Sequence, residues 1–299
     1  MFAHILFPLD GSAQAEAVLP LGAAIAGRHG SDVTLLHLIE RGAPSAVHGE
    51  PHLSEAASAS AYLDRIRERA FPNNMTVHRH VHSESRENVP DGIVHHAAEL
   101  HADLVVMCTH GRGGIRHRLF GNIAERIVHA GVAPVMLVPP EARGASFPFR
   151  RLLVPLDGNA AHEVALGVAA ELAALYDASV MLLMVVPTLG TLPVERRAGT
   201  FLPGSMSELL DLEQENAIDY VSERMDWLEG QNARVEARVA RGDAAGLIAE
   251  TTAQAGADLV VAASHGTAGF DAFWSGSVTP RVSARSRVPL LLVPALPAG

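Results

Sequence analysis

Apolar residues in this chain fall in short β-branched runs, and between the runs they recur at helical spacing. Residues 4–9 (HILFPL) predict a strand ending in Asp10-Gly11, and the Ala-rich stretch 13–29 predicts a helix. The pattern continues with a strand at 33–39, a polar loop, a helix near 54–70, a strand near 75–81 and a helix near 91–101. A buried strand at 104–107 then breaks into a loop carrying Gly111, Gly113 and Gly114. Gly121 and Asn122 stand at the cap of the next helix, IAERIVHA, and a strand at 134–138 closes the series. Strands alternating with helices specify right-handed βαβ units and a parallel sheet covered on both faces.

After a short stretch with Gly144 and Pro148, the pattern repeats. Strand 152–156 ends in Asp157-Gly158, VMLLMVV at 180–186 mirrors VTLLHLI at 33–39, and DLVV recurs at 103–106 and 258–261. Asp10 to Asp157 is a shift of 147, whereas Gly111 to Gly266 and Gly121 to Gly276 are shifts of 155. The extra residues fall between the second and third strands, where the second copy has a longer helix, 207–230. The expectation is two tandem domains, 1–140 and 151–299, joined by a linker at 141–150. Each would be an open parallel sheet of five strands, and the two would meet through their last strands, 134–138 and 289–293.

Such a duplicate places ligands at the carboxyl ends of the strands, where strand order reverses. A strand feeding a glycine loop and then a helix N-terminus supplies free backbone N–H groups and the positive end of a dipole, which suits phosphate. In the first half, Arg112, Arg116 and Arg118 add three permanent positive charges beside that loop; the plainer alternative is a solvated basic loop. The second loop has Ser277 at the cap but carries Asp271, Phe270, Phe273 and Trp274 and no basic residue between Gly266 and Gly276.

A net charge of −10 argues against a nucleic-acid partner held by bulk electrostatics. A single cysteine, Cys108, rules out a disulfide within the chain and a cysteine zinc cluster. No 18-residue apolar run is present and the N-terminus does not read as a leader, so a cytoplasmic protein without a membrane partner is expected. Histidine is uneven: 14 of the 16 precede residue 130. His78, His80 and His82 alternate along a strand and share a face, with His95 and His96 on the next helix; they can bind a metal or sense pH, or simply form the polar face of an edge strand. No residue is assigned here as a metal ligand or a catalytic group.

Four features recur in order in both halves: the PLDG strand end (8–11 and 155–158), the LLHLI-like second strand, the His-Gly-x9-Gly loop, and a closing apolar strand. In these the chain resembles the universal stress protein family in its tandem form. The resemblance implies a sheet order of 3-2-1-4-5 in each half and, in the nucleotide-binding branch, ATP held by G-x2-G-x9-G-S/T. Here that motif reads Cys108-x2-Gly111-x9-Gly121-Asn122 and Ala263-x2-Gly266-x9-Gly276-Ser277, so both copies lack its first glycine.

Carried over, the resemblance puts Gly111, Arg112, Gly114, Gly121 and Asn122, and Gly266, Gly276 and Ser277, around phosphates. Asp10 and Asp157 would contact the adenosine moiety, and main chain near Leu38 and Val185 the adenine edge. The implied function is a stress-response regulator that binds ATP or a related adenine nucleotide, with Mg2+ arriving on the nucleotide, and has at most slow ATP hydrolysis. A nucleotide-free module for an unidentified protein partner is the alternative. An adenine-nucleotide hydrolase ranks last, because its Ser-Gly-Gly-x-Asp-Ser loop is replaced by Pro8-Leu9-Asp10-Gly11-Ser12. Neither a P-loop nor an intact G-x-G-x-x-G after a strand is present. Whether the chain also forms a homodimer is left open.

Overall fold

The computed structural model describes residues 1–39, 46–47, 50–51, 53–82, 88–109, 122–140, 142, 147–191, 203–264 and 278–295. The first half contains β1 (His4–Pro8), α1 (Leu19–His29), β2 (Asp32–Leu38), α2 (Ala56–Ala70), β3 (Val77–His82), α3 (Val89–Glu99), β4 (Leu104–Cys108), α4 (Asn122–Ala130) and β5 (Val135–Val138). The second half follows with β6 (Arg151–Leu156), α5 (Val164–Tyr176), β7 (Ser179–Val186), α6 (Pro203–Gly230), β8 (Arg234–Arg241), α7 (Ala244–Ala255), β9 (Leu259–Ser264), α8 (Val278–Arg285) and β10 (Leu290–Pro294). A two-residue antiparallel ladder, 46–47 against 50–51, lies between β2 and α2.

The strands do not form two separate sheets. They make one ten-stranded sheet, β8-β7-β6-β9-β10-β5-β4-β1-β2-β3, in which each half contributes the order 3-2-1-4-5. This corrects the expectation of two five-stranded sheets, and the cause is the chemistry of the closing strands. All four residues of β5 and four of the five in β10 are buried. Kept apart, each half would expose an unpaired apolar edge. The two edges instead pair antiparallel, with Leu290, Leu291 and Leu292 opposite Leu137, Met136 and Val135. Because the seam is antiparallel and all other pairs are parallel, the carboxyl ends of the two halves lie at opposite ends of the sheet.

Each face of the sheet carries one continuous core that crosses the seam. On one face α1, α2, α5 and α6 cover Ile5, Phe7, Met136, Leu152, Val154 and Leu291. On the other, α3, α4, α7 and α8 cover Leu6, Val135, Leu137, Leu153 and Leu292. The repeated DLVV aspartates have a structural duty. Asp103 accepts from the Ala3 and His4 amides at 2.7 and 3.0 Å, and Asp258 accepts from those of Arg150 and Arg151 at 2.7 and 3.2 Å. Each thereby ties the start of its half's first strand to the strand beside it.

The halves also touch through their first helices. His29 donates from Nδ1 to the Met1 carbonyl (2.8 Å), so its Nε2 accepts from the Tyr176 hydroxyl (2.6 Å). Arg28 donates to the Leu175 carbonyl at 3.0 Å. Burial pushes the Tyr176 hydroxyl up to about 12 and, as the largest of several influences, holds the His29 imidazole below its ordinary value.

Candidate functional site

At each switch point the first strand is followed closely by an aspartate and then a glycine in the left-handed region, Gly11 at φ 91° and Gly158 at φ 80°. The strands flanking the first crevice are neighbours, since Ile5 and Leu6 of β1 pair with Leu104 and Val105 of β4. The second crevice has the same arrangement, with Leu152 and Leu153 of β6 beside Leu259 and Val260 of β9.

In the first half Asp10 Oδ1 accepts from both the amide (2.9 Å) and the hydroxyl (2.6 Å) of Ser12. Ser12 is buried, and its Oγ in turn accepts from the Ala15 amide at 3.1 Å, which starts the turn leading into α1. Gln14 reaches across to β4's end and donates to the Thr109 carbonyl at 3.3 Å. The turn is thus a fixed bracket at the crevice wall. Leu38, at the end of β2, is buried, and Gly92 of α3 lies so close that an added Cβ would fall 2.2 Å from a Leu38 methyl carbon.

The second half keeps the backbone and changes the partners. Asp157 Oδ1 accepts from the Asn159 amide at 3.0 Å, and Oδ2 takes His162 Nδ1 at 2.6 Å. Both side chains are nearly closed off, His162 at 7% and Asp157 at 4% exposure. Asn159 caps the short 3-10 turn by accepting from the Ala161 amide at 3.0 Å, and this turn carries His162 back to the aspartate. By the shift of 147, His162 stands where the first half has Ala15. Val185 is buried near the end of β7, the counterpart of Leu38.

The structure therefore places Asp10, Leu38, Asp157 and Val185 at carboxyl ends of strands around two switch points. Asn122 opens α4, though its side chain is not described, and Gly111, Arg112, Gly114, Gly121, Gly266, Gly276 and Ser277 lie outside the described residues. No local sequence pattern marks Ser12 and His162 as partners of the two aspartates. The one available signal for His162 was that it is one of only two histidines in the second half. No helix among the described residues is long and apolar enough to cross a membrane.

The model of the universal stress protein family matches residues 1–139 and again 148–294. A universal stress protein from Mycolicibacterium smegmatis is 25% identical over 303 residues, covering 97% of this chain and 96% of its own. A universal stress protein from Archaeoglobus fulgidus superposes with a TM-score of 0.63 at 14% identity, covering 98% and 99% of the two chains, and so shares the fold. A universal stress protein solved in complex with cAMP matches 48% of this chain and 96% of its own at 19% identity, with a TM-score of 0.34; the cAMP belongs to that protein. With both halves matched in tandem over nearly its whole length, the chain belongs to the universal stress protein family.

Proposed function

We propose that this protein is a stress-response regulator that binds ATP or a related adenine nucleotide at the carboxyl ends of its strands, in the first half ahead of the second, with Mg2+ arriving on the nucleotide. The observation that carries the reading is the bracket at the first switch point. Asp10 is held by Ser12 at the wall of the crevice, beside buried Leu38 at the end of β2. A carboxylate fixed there would accept hydroxyl hydrogens of a sugar, and the glycine-rich stretch that follows β4 in the sequence, with Arg112, Arg116 and Arg118, would bring positive charge for phosphates. Occupancy would bias the protein's shape or its partners rather than drive a dedicated reaction.

For the second half, a nucleotide-free interaction role is supported by a separate observation. His162 and Asn159 engage both oxygens of Asp157, so a ribose hydroxyl must compete with a buried hydrogen bond. The long helix α6 in this half also exposes Leu209, Leu212, Ile218 and Trp227. Calorimetry with ATP and Mg2+ on the whole protein and on Asp10→Ala and Asp157→Ala tests the assignment. Affinity lost with Asp10 and kept without Asp157 supports it; no binding to the unaltered chain overturns it.

A further inference from the structure

The outermost strand of the first half carries a histidine cluster that the nucleotide reading leaves unused. His78, His80 and His82 alternate along β3 and share one of its faces, but only His80 and His82 converge with a residue of α3. The rings of His80 and His82 lie 4.4 and 4.8 Å from the ring of His96, and ring nitrogens of the three are within 4.8 Å of one another. His78 is exposed and stands apart from this group. The cluster is graded from outside to inside: His80 and His82 are half-buried, and His96 is 3% exposed.

We infer that His80, His82 and His96 form a zinc(II) site, with Glu99 orienting His96. Three neutral imidazoles with a fourth position open to water are a known zinc donor set, and imidazole suits this borderline cation. His96 Nδ1 lies 3.1 Å from Glu99 Oε2 and donates to it, which leaves Nε2 as a lone pair aimed at the cluster. That Nε2 is 3.1 Å from His82 Nδ1. Two nitrogens on one tetrahedral zinc at about 2.05 Å stand about 3.3 Å apart, so this pair already has the required spacing. A metal between them takes the place of the shared proton, and His82 then carries its proton on Nε2. His80 completes the set by closing the last part of the gap through rotation of its half-buried ring.

The ion would clip the outermost strand to α3. It would do so beside the proposed adenine wall, because His82 pairs with Leu38 and its carbonyl accepts from the Ile39 amide at 3.0 Å. None of the three ligands is among the residues assigned to nucleotide.

The test is zinc titration by calorimetry on the untagged, nucleotide-free full chain, backed by native mass spectrometry. One zinc per chain is expected. His80→Asn and His82→Asn should each weaken binding at least about tenfold, and Glu99→Gln about 10- to 100-fold. His129→Asn, an exposed histidine on α4, should leave it unchanged. The two strand substitutions are made at half-buried sites rather than at buried His96, so an unaltered far-UV circular dichroism spectrum shows that the fold is kept. Absence of stoichiometric zinc, or stoichiometric zinc that survives both strand substitutions, would overturn the assignment. Since no nucleotide is present, either result stands independently of nucleotide binding.

Discussion

The two halves share a strand order and differ in what fills equivalent positions. At the first switch point Asp10 is braced by Ser12, while at the second Asp157 is held by buried His162. The cores show the same kind of exchange. Phe7 in β1 lies against Gly22 of α1, where an added Cβ would fall 2.2 Å from a ring carbon. The equivalents by the shift of 147 are Val154 and Ala169, both fully buried. A larger strand residue opposite no side chain has become a smaller one opposite a methyl, which conserves volume in a close-packed interior. Duplication has kept the frame and let each half settle its own packing and its own crevice.

The largest effect should come from breaking what the halves share. Met136 and Leu291 face each other across the seam and are 1% and 0% exposed. Met136→Asp buries a charge with no partner and should cost at least about 3 kcal/mol, read as a lower urea midpoint. Because both cores cross the seam, the signals from both halves should shift together. A shift confined to one half would separate them.

Next in size is the contrast between the crevices. Asp10→Ala should weaken ATP about 10- to 100-fold, the range for losing a hydrogen bond to a charged group, and Asp157→Ala should change it little. Calorimetry reads both. His162→Ala sharpens the comparison, because it frees Asp157 and should raise any affinity the second half has.

The packing exchange predicts a smaller, local effect. Gly22→Ala should destabilise by about 1–3 kcal/mol through overpacking against Phe7. Adding Phe7→Val should recover part of that loss, giving a coupling energy in a double-mutant cycle by urea unfolding. Ala169→Gly, the reciprocal change in the second half, should cost about 0.5–1 kcal/mol or slightly more. A neutral Gly22→Ala would show that Phe7 does not fill the space beside Gly22 tightly.

The smallest effect is a pH dependence at the junction of the halves. Burial lowers the folded pKa of His29, so below about pH 6.5 the unfolded chain takes up a proton before the folded one does. Stability from this group is therefore complete above the unfolded pKa and is lost as pH falls through 6.5 toward the lowered folded value. His29→Gln should flatten that part of the stability profile measured by urea unfolding between pH 7.5 and 5. An unchanged slope would show that the junction does not titrate.

Much of this was legible in the chain itself. The periodic shifts reveal the duplicate, the strand–helix alternation gives the α/β class, and the closing apolar strands at 134–138 and 289–293 point to the pairing that the structure has between Val135–Val138 and Leu290–Pro294. What was missed was that this pairing fuses two sheets into one of ten strands, which depends on edge geometry rather than on any local pattern. The aspartates at the strand ends were visible because Asp-Gly recurs. Their partners were not: His162 reaches Asp157 only because Asn159 caps a 3-10 turn between them, and Ser12 looks like an ordinary turn residue. The alternation of His78, His80 and His82 showed a shared face, but only the packing of α3 selects His80 and His82 and adds His96.

Nucleotide carried by the protein is counted by denaturing freshly purified whole protein and its Asp10→Ala and Asp157→Ala variants and identifying the released small molecules per chain by mass spectrometry. An adenine nucleotide is expected from the unaltered protein and from Asp157→Ala, and its loss from Asp10→Ala. No nucleotide on the unaltered protein, together with failure to take up added ATP and Mg2+, would contradict this expectation, as would loss with Asp157→Ala alone.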